Sequence, residues 1–232
     1  MRYGNGIDLS YVVLVLPALL FTLWAQIRVK TTFAKYQKVA SDRNMTGADA
    51  ARLVLEQNGV TGVTVTRVAG QLTDHYDPKE NVIRLSESVY DTRTAAAVGV
   101  AAHEAGHAVQ YAVDYAPIRL RSAVIPATKI GTYAAWTLFI LGMVMSFKGL
   151  QLAGIILFSA CVLFQLLTLP VEINASRRAV KSLEVSGLSD EGLKAAKSVL
   201  TAAALTYVVA LASAVVNLLR LISLFNSGRG RR

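Results

Sequence analysis

The chain has 232 residues, 53% of them hydrophobic and only 17% charged, with a net charge of +9 and a single cysteine. Soluble domains usually carry about 25% charged residues, so this composition excludes a disordered polymer, a collagen-like chain and a disulfide scaffold, and argues against a purely soluble enzyme. No nucleic-acid motif accompanies the basic excess, which fits positive flanks around membrane segments.

Taken in order, the first feature is an uncharged run from Leu9 to Ile27, close to the ~20 residues that cross a bilayer core. Only Arg2 precedes it, and Leu23, Trp24 and Ala25 stand where a small-x-small cleavage site would be, so it reads as a retained anchor. A polar stretch follows. Thr46 with Asp49 three residues on is a helix-capping signal, and the helix from Gly47 stops near Gly59. Gly62 to Thr66 alternates like a strand, Asp74 to Pro78 leads to a polar turn at Lys79 to Asn81, and Val82 to Leu85 reads as a second short strand. Ser86 caps a helical turn through Tyr90, and a helix is expected from Thr94 to Asp114. Three more apolar runs close the chain: Ile130 to Phe147, Leu150 to Pro170, and Leu200 to Leu219. Cys161 falls inside one of them and reads as a small hydrophobe.

Charges orient these runs. Arg28, Lys30, Lys35, Lys38 and Arg43 follow the first, Arg119, Arg121 and Lys129 precede the second, and Arg177, Arg178, Lys181, Lys194 and Lys197 lie between the third and fourth. The positive-inside rule therefore puts residues 28–128 and 171–199 in the cytoplasm, with the N-terminus and Lys148 outside. Arg229, Arg231 and Arg232 resist this pattern, because a fully crossing fourth helix leaves them outside.

The chemistry lies in the Thr94–Asp114 helix, which contains His103-Glu104-Ala105-Gly106-His107, an H-E-x-x-H. One helical turn separates the two imidazoles, so both project from one face and can fill two positions of a tetrahedral zinc. Glu104 beside them can take a proton from a metal-activated water and pass it to a leaving amine. Chance placement of the 3 His and 7 Glu yields this motif about once in a thousand chains. A structural reading, a buried helix with hydrogen-bonded histidines, must place this polar cluster among Ala, Val and Gly. Those small residues also let another backbone approach closely.

A catalytic zinc needs a third protein ligand and an open position. Two crossings separate His107 from Pro170, so the chain is back on the same side at Val171, and the first carboxylate there is Glu172. Glu184 is the runner-up, and a solvated charge at a helix N-terminus is the structural alternative for Glu172.

The segments Ala101 to Gln110, Asp74 to Pro78, Pro170 to Ala179 and Ala204 to Tyr207 together resemble the neutral zinc metallopeptidases of bacterial membranes, the YugP-like family, over nearly the whole chain. More distantly they resemble gluzincin membrane peptidases, in which H-E-x-x-H is followed by a transmembrane hairpin and E-x-x-x-D. The resemblance implies one zinc on His103, His107 and Glu172 with Glu104 as catalytic base. Ser176 stands where the distant pattern has Asp, so orientation of a ligating histidine is expected from elsewhere, with Asn174 and Arg178 as candidates.

Three further residues stand as candidates beside a structural reading. Tyr207 is a candidate oxyanion donor or an interfacial aromatic, His75 a candidate site residue or a surface histidine, and Asp114 a helix-end carboxylate. The strand Asn81–Leu85 is a candidate for binding an extended peptide by strand addition.

The expected fold is a mainly α membrane protein with about four transmembrane helices and a small cytoplasmic α+β zincin-like region carrying the H-E-x-x-H helix. Its expected parts are an anchor (1–30), the zincin-like region (31–120), a transmembrane hairpin (121–170), a segment with the third ligand (171–199), and a last helix with its basic tail (200–232). The expected function is a multi-pass plasma-membrane zinc endopeptidase acting at the cytoplasmic surface. Its partners are then the bilayer and peptide or membrane-protein substrates, with no nucleic acid. The alternatives are a noncatalytic zinc-stabilised scaffold or regulatory protein, which has no use for Glu104, and an intramembrane (site-2-type) protease, for which the later Asp-Gly ligand motif is missing.

Overall fold

The computed structural model describes residues 11–227. A short π-helical turn, Tyr11–Val15, leads into α1 (Leu16–Tyr36), followed by α2 (Gly47–Gln57), β1 (Thr64–Val68), β2 (His75–Asp77), β3 (Val82–Ser86), α3 (Ala95–Ala112), α4 (Ala116–Val144), α5 (Lys148–Val185) and α6 (Asp190–Ser227). The chain divides into two compact units. One comprises Gln26–Arg119 and Pro170–Leu205. The other holds residues 11–25, 120–169 and 206–227 of the described chain.

The first unit is polar outside and alanine-rich inside. Asp49 N–H donates to Thr46 Oγ1 at 3.1 Å and Thr46 N–H donates to Asp49 Oδ2 at 3.0 Å, a reciprocal cap that starts α2. Gly59, at φ +64°, ends it. Ala50, Ala51, Val54 and Leu55 of α2 join Ala97, Ala101, Ala105 and Ala108 of α3 in one core, with Ile83 and Leu85 of β3 fully buried beside them. Small side chains let the two helix backbones lie close together.

The three strands run in the order β1-β3-β2, with β1 parallel and β2 antiparallel to β3. The turn at residues 79–81 stands as expected, but the Asp74–Pro78 segment leading to it, given no element in the sequence, contains the strand β2, paired His75 to Arg84, Tyr76 to Ile83 and Asp77 to Val82. Three residues ahead of a proline are too few to show alternation. In addition, β3 is the central strand and both its edges are taken, so the Asn81–Leu85 segment offers no free edge for strand addition.

The second unit is apolar. Its core holds Ala135, Phe139, Ile155, Phe158 and Leu221. Glycines set how closely α4 and α5 approach: a Cβ at Gly154 would lie 2.7 Å from Ala135 O, and one at Gly142 would lie 2.6 Å from Gln151 N. Leu19, Leu20, Ile156, Leu166 and Leu219 are more than half exposed.

Among the described residues two helices, α5 and α6, are long and apolar enough to cross a membrane, rather than the four expected. Within α4 the apolar stretch among the described residues is Gly131–Val144, and the turn that follows the helix holds Ser146 at φ 55°. In α1, Arg28, Lys30 and Lys35 fall inside the helix, while the start of the first run at Leu9 lies outside the described residues. Arg2 and the tail arginines 229, 231 and 232 also lie outside them.

Candidate metal centre

The centre belongs wholly to the first unit and is built where α3 meets the part of α5 beyond Pro170. Thr94 caps α3, its side chain accepting from Ala97 N. The helix then carries His103 and His107 on one face, with ring centroids 4.7 Å apart and planes at 79°. On α5 the i,i+4 pair Glu172 and Ser176 faces them. Glu172 Oε2 lies 3.2 Å from His103 Nε2 and 3.5 Å from His107 Nε2. The ligand atoms of His103, His107 and Glu172 all lie within 4.8 Å of one another.

This meeting depends on Gly106. A Cβ there would sit 2.5 Å from Ala175 O and 3.3 Å from Ala175 Cα, so the two backbones touch at that point. In a free helix alanine is favoured over glycine by about 0.5–1 kcal/mol. Here the contact overrides that preference. Gly106→Ala is expected to lower stability by about 1–3 kcal/mol and to weaken metal binding, because Glu172 moves away with α5. Thermal unfolding and a zinc titration check this; a variant as stable and as tight-binding as the parent refutes it.

Each histidine has a second partner on its Nδ1. For His107 it is Gln110 Oε1 at 3.0 Å. Gln110 is fully buried, and its Nε2 donates to Val171 O at 2.8 Å and Asn174 Oδ1 at 3.0 Å. Its amide nitrogen is thus committed, so Oε1 accepts, His107 Nδ1 carries the proton, and the Nε2 lone pair is left for a cation. Arg178 Nε in turn donates to Asn174 Oδ1 at 2.8 Å. Asn174 and Arg178 therefore reach His107 through Gln110.

For His103 the partner is Ser176 Oγ, 3.1 Å from Nδ1. This corrects the expectation that its orientation comes from elsewhere. The serine is uncharged, yet it stands at the right turn of α5 to meet the imidazole. A hydroxyl can donate or accept, so it fixes the ring's position without dictating its tautomer as a carboxylate would.

Glu104 is held from the other side. Tyr76 N–H donates to its Oε2 at 3.1 Å, so the outer edge of β2 points at this carboxylate. Asp74, just before β2, accepts from Ser86 N at 2.8 Å and from Ser86 Oγ, pinning β2 beside the end of β3. Burial pushes the Asp74 carboxyl up from its ordinary range, and the Glu104 charge adds to this against the Ser86 hydrogen bonds.

The electrostatics favour a cation between these groups. Glu172 is only 2% exposed. Burial by itself would raise its pKa, but the hydrogen bonds and positive charge of His103 and His107 hold it well below the carboxylate range. Burial likewise opposes charge on His107, and the Glu172 hydrogen bond with the Glu104 and Glu172 charges overrides it and raises its pKa. Tetrahedral zinc with N and O ligands at about 2.0–2.1 Å separates neighbouring ligand atoms by about 3.3 Å. The two Nε2–Oε2 distances straddle that value, so this donor set fits zinc.

The chain matches, over residues 11–226, the family described as "Putative neutral zinc metallopeptidase". It is also 44% identical over 220 residues, 94% of this chain and 98% of the relative, to the Bacillus subtilis (strain 168) protein named "Putative membrane protease YugP". This chain belongs to the neutral zinc metallopeptidase family. No solved structure gives a significant match.

In this family member the structure brings together four of the sequence candidates, His103, Glu104, His107 and Glu172. Glu184 is exposed, three turns further along α5. His75 is exposed on β2, its Nδ1 2.7 Å from Thr73 O. Tyr207 belongs to the apolar unit rather than to the unit holding the centre. Asp114 follows the end of α3 and pairs with Arg119. Two contributions went unread in the sequence: Gln110 and the Tyr76 backbone. Gln110 does leave a signal, as a polar residue one turn from His107 on a helix built mostly of alanine, valine and glycine.

Proposed function

We propose that the protein is a membrane-bound zinc endopeptidase that hydrolyses peptide bonds near the cytoplasmic membrane surface, with one zinc per chain on His103, His107 and Glu172. The observation that carries this reading is the convergence of those three side chains beside a separately held Glu104. When bound, the metal supplies Lewis acidity toward water and the substrate carbonyl.

The chain's own residues supply the remainder. Glu104, oriented by Tyr76 N–H, takes the proton of the attacking water and returns it to the leaving amine. Gln110 and Ser176 hold the two imidazoles with their Nε2 atoms toward Glu172. The sheet edge next to Glu104 is that of β2, with Tyr76 N–H already given to Glu104, so an extended peptide is proposed to lie beside β2 rather than β3.

Membrane attachment is supported by α5 and α6, by the exposed leucines and isoleucine of the apolar unit, and by the relative's name. The cationic flanks Arg28, Lys30 and Lys35 and Arg177, Arg178 and Lys181 support the cytoplasmic side. The test is hydrolysis of a quenched fluorescent peptide mixture by purified full-length protein. Activity is expected to vanish with 1,10-phenanthroline and to return with added zinc. Hydrolysis that persists in the fully demetallated protein refutes the reading.

A further inference from the structure

A groove of about 630 Å³ runs between α5 and α6, within the unit that carries the metal centre. Ile173, Val180, Leu200 and Ala204 line it with hydrocarbon. Arg177, Lys181 and Lys197 stand around it against one acid, Glu184, and all four are exposed. An apolar trough edged by a net charge of +2 has the chemistry of an anionic amphiphile's binding site. Its place in the chain matches. The α5 wall begins three residues after the apolar run 150–170, and the α6 wall includes Leu200, where the last apolar run starts. That is the headgroup depth on the proposed membrane reading, on which this inference rests.

Ser176 also lines the groove, and the same Oγ meets His103 Nδ1. We propose that the α5–α6 groove is a site for one acidic phospholipid, with an acyl chain along Ile173, Val180 and Leu200 and its phosphate near Lys181 and Arg177, and that Ser176 transmits its occupancy to the metal centre. A filled groove holds α5, and Ser176 with it, against His103. Zinc is then released more slowly.

The experiment uses the full-length zinc-loaded chain in non-ionic detergent, titrated with dioctanoyl phosphatidylglycerol below its micelle concentration. Dioctanoyl phosphatidylcholine and inorganic phosphate are separate arms, and binding is read by native mass spectrometry. One phosphatidylglycerol per chain is expected, bound more tightly than either alternative. Arg177→Gln and Lys181→Gln should each weaken it by about fivefold with zinc content unchanged. Ala204→Trp, which fills the groove, should abolish it. Transfer of zinc to a chelator should slow by at least about fivefold when phosphatidylglycerol is bound, and not in Ser176→Ala.

Equal binding of the two lipids, or binding indifferent to the charge variants, overturns the site. Phosphate competing as strongly as the lipid reduces it to a free-anion site and overturns the lipid assignment. Lipid binding without any change in zinc release overturns the coupling. Sedimentation with vesicles tests the membrane reading separately: a chain that stays soluble there sinks that reading, while monomeric lipid still tests the groove.

Discussion

Glu104→Gln is expected to lower peptide hydrolysis by about 10²- to 10⁴-fold while leaving zinc content and folding unchanged. The substitution keeps the size of the side chain and keeps an oxygen to accept from Tyr76 N–H, so the contact between β2 and α3 survives. What it removes is the only proton acceptor of the H-E-x-x-H outside the His103, His107 and Glu172 set. Peptidase assays beside elemental analysis decide it. Near-parental activity removes Glu104 as the base. Lost zinc makes it a ligand instead, and the proposed division of roles fails.

The legible part of this centre was the local part. His103, Glu104 and His107 lie within one turn of one helix, so helical periodicity alone places them together. The Thr46–Asp49 cap was likewise local and set the start of α2 correctly. Glu172 is 65 residues beyond His107, and no periodicity reaches that far; counting membrane crossings supplied it. That count needs both apolar runs between them to cross, and of these only the second lies in one of the two helices long and apolar enough, so the convergence with His103 and His107, not the count, carries Glu172.

What was not legible depends on backbone contacts between distant segments. The Tyr76 N–H bond to Glu104 uses no side chain of β2, so its sequence carries no trace of it. Ser176 was set aside because its charge differs from an aspartate, yet its position on α5, one turn after Glu172, governs what it touches. Gly106 shows the reverse case. The small residues of the H-E-x-x-H helix were read as allowing close approach, and the contact with Ala175 O places that approach one residue before His107.

Glu172→Ala is the second large effect, and it separates two carboxylates on one helix. Removing Glu172 leaves two imidazoles facing a cavity and takes away one of three donors gathered within 4.8 Å. Loss of a mere hydrogen-bonding partner of a ligand costs about 10–100-fold in metal affinity, so loss of the ligand itself should cost more and leave the purified variant without zinc. Glu184→Ala serves as the control. Glu184 lies on the same helix but is exposed, and its removal should leave zinc content and hydrolysis at parental levels. His103 and His107 would persist in the Glu172 variant as neighbours 4.7 Å apart, so added cobalt and its visible spectrum can report any residual two-ligand binding. Full zinc in Glu172→Ala would mean that another group completes the centre. The tight α3–α5 contact at Gly106 would then serve packing alone.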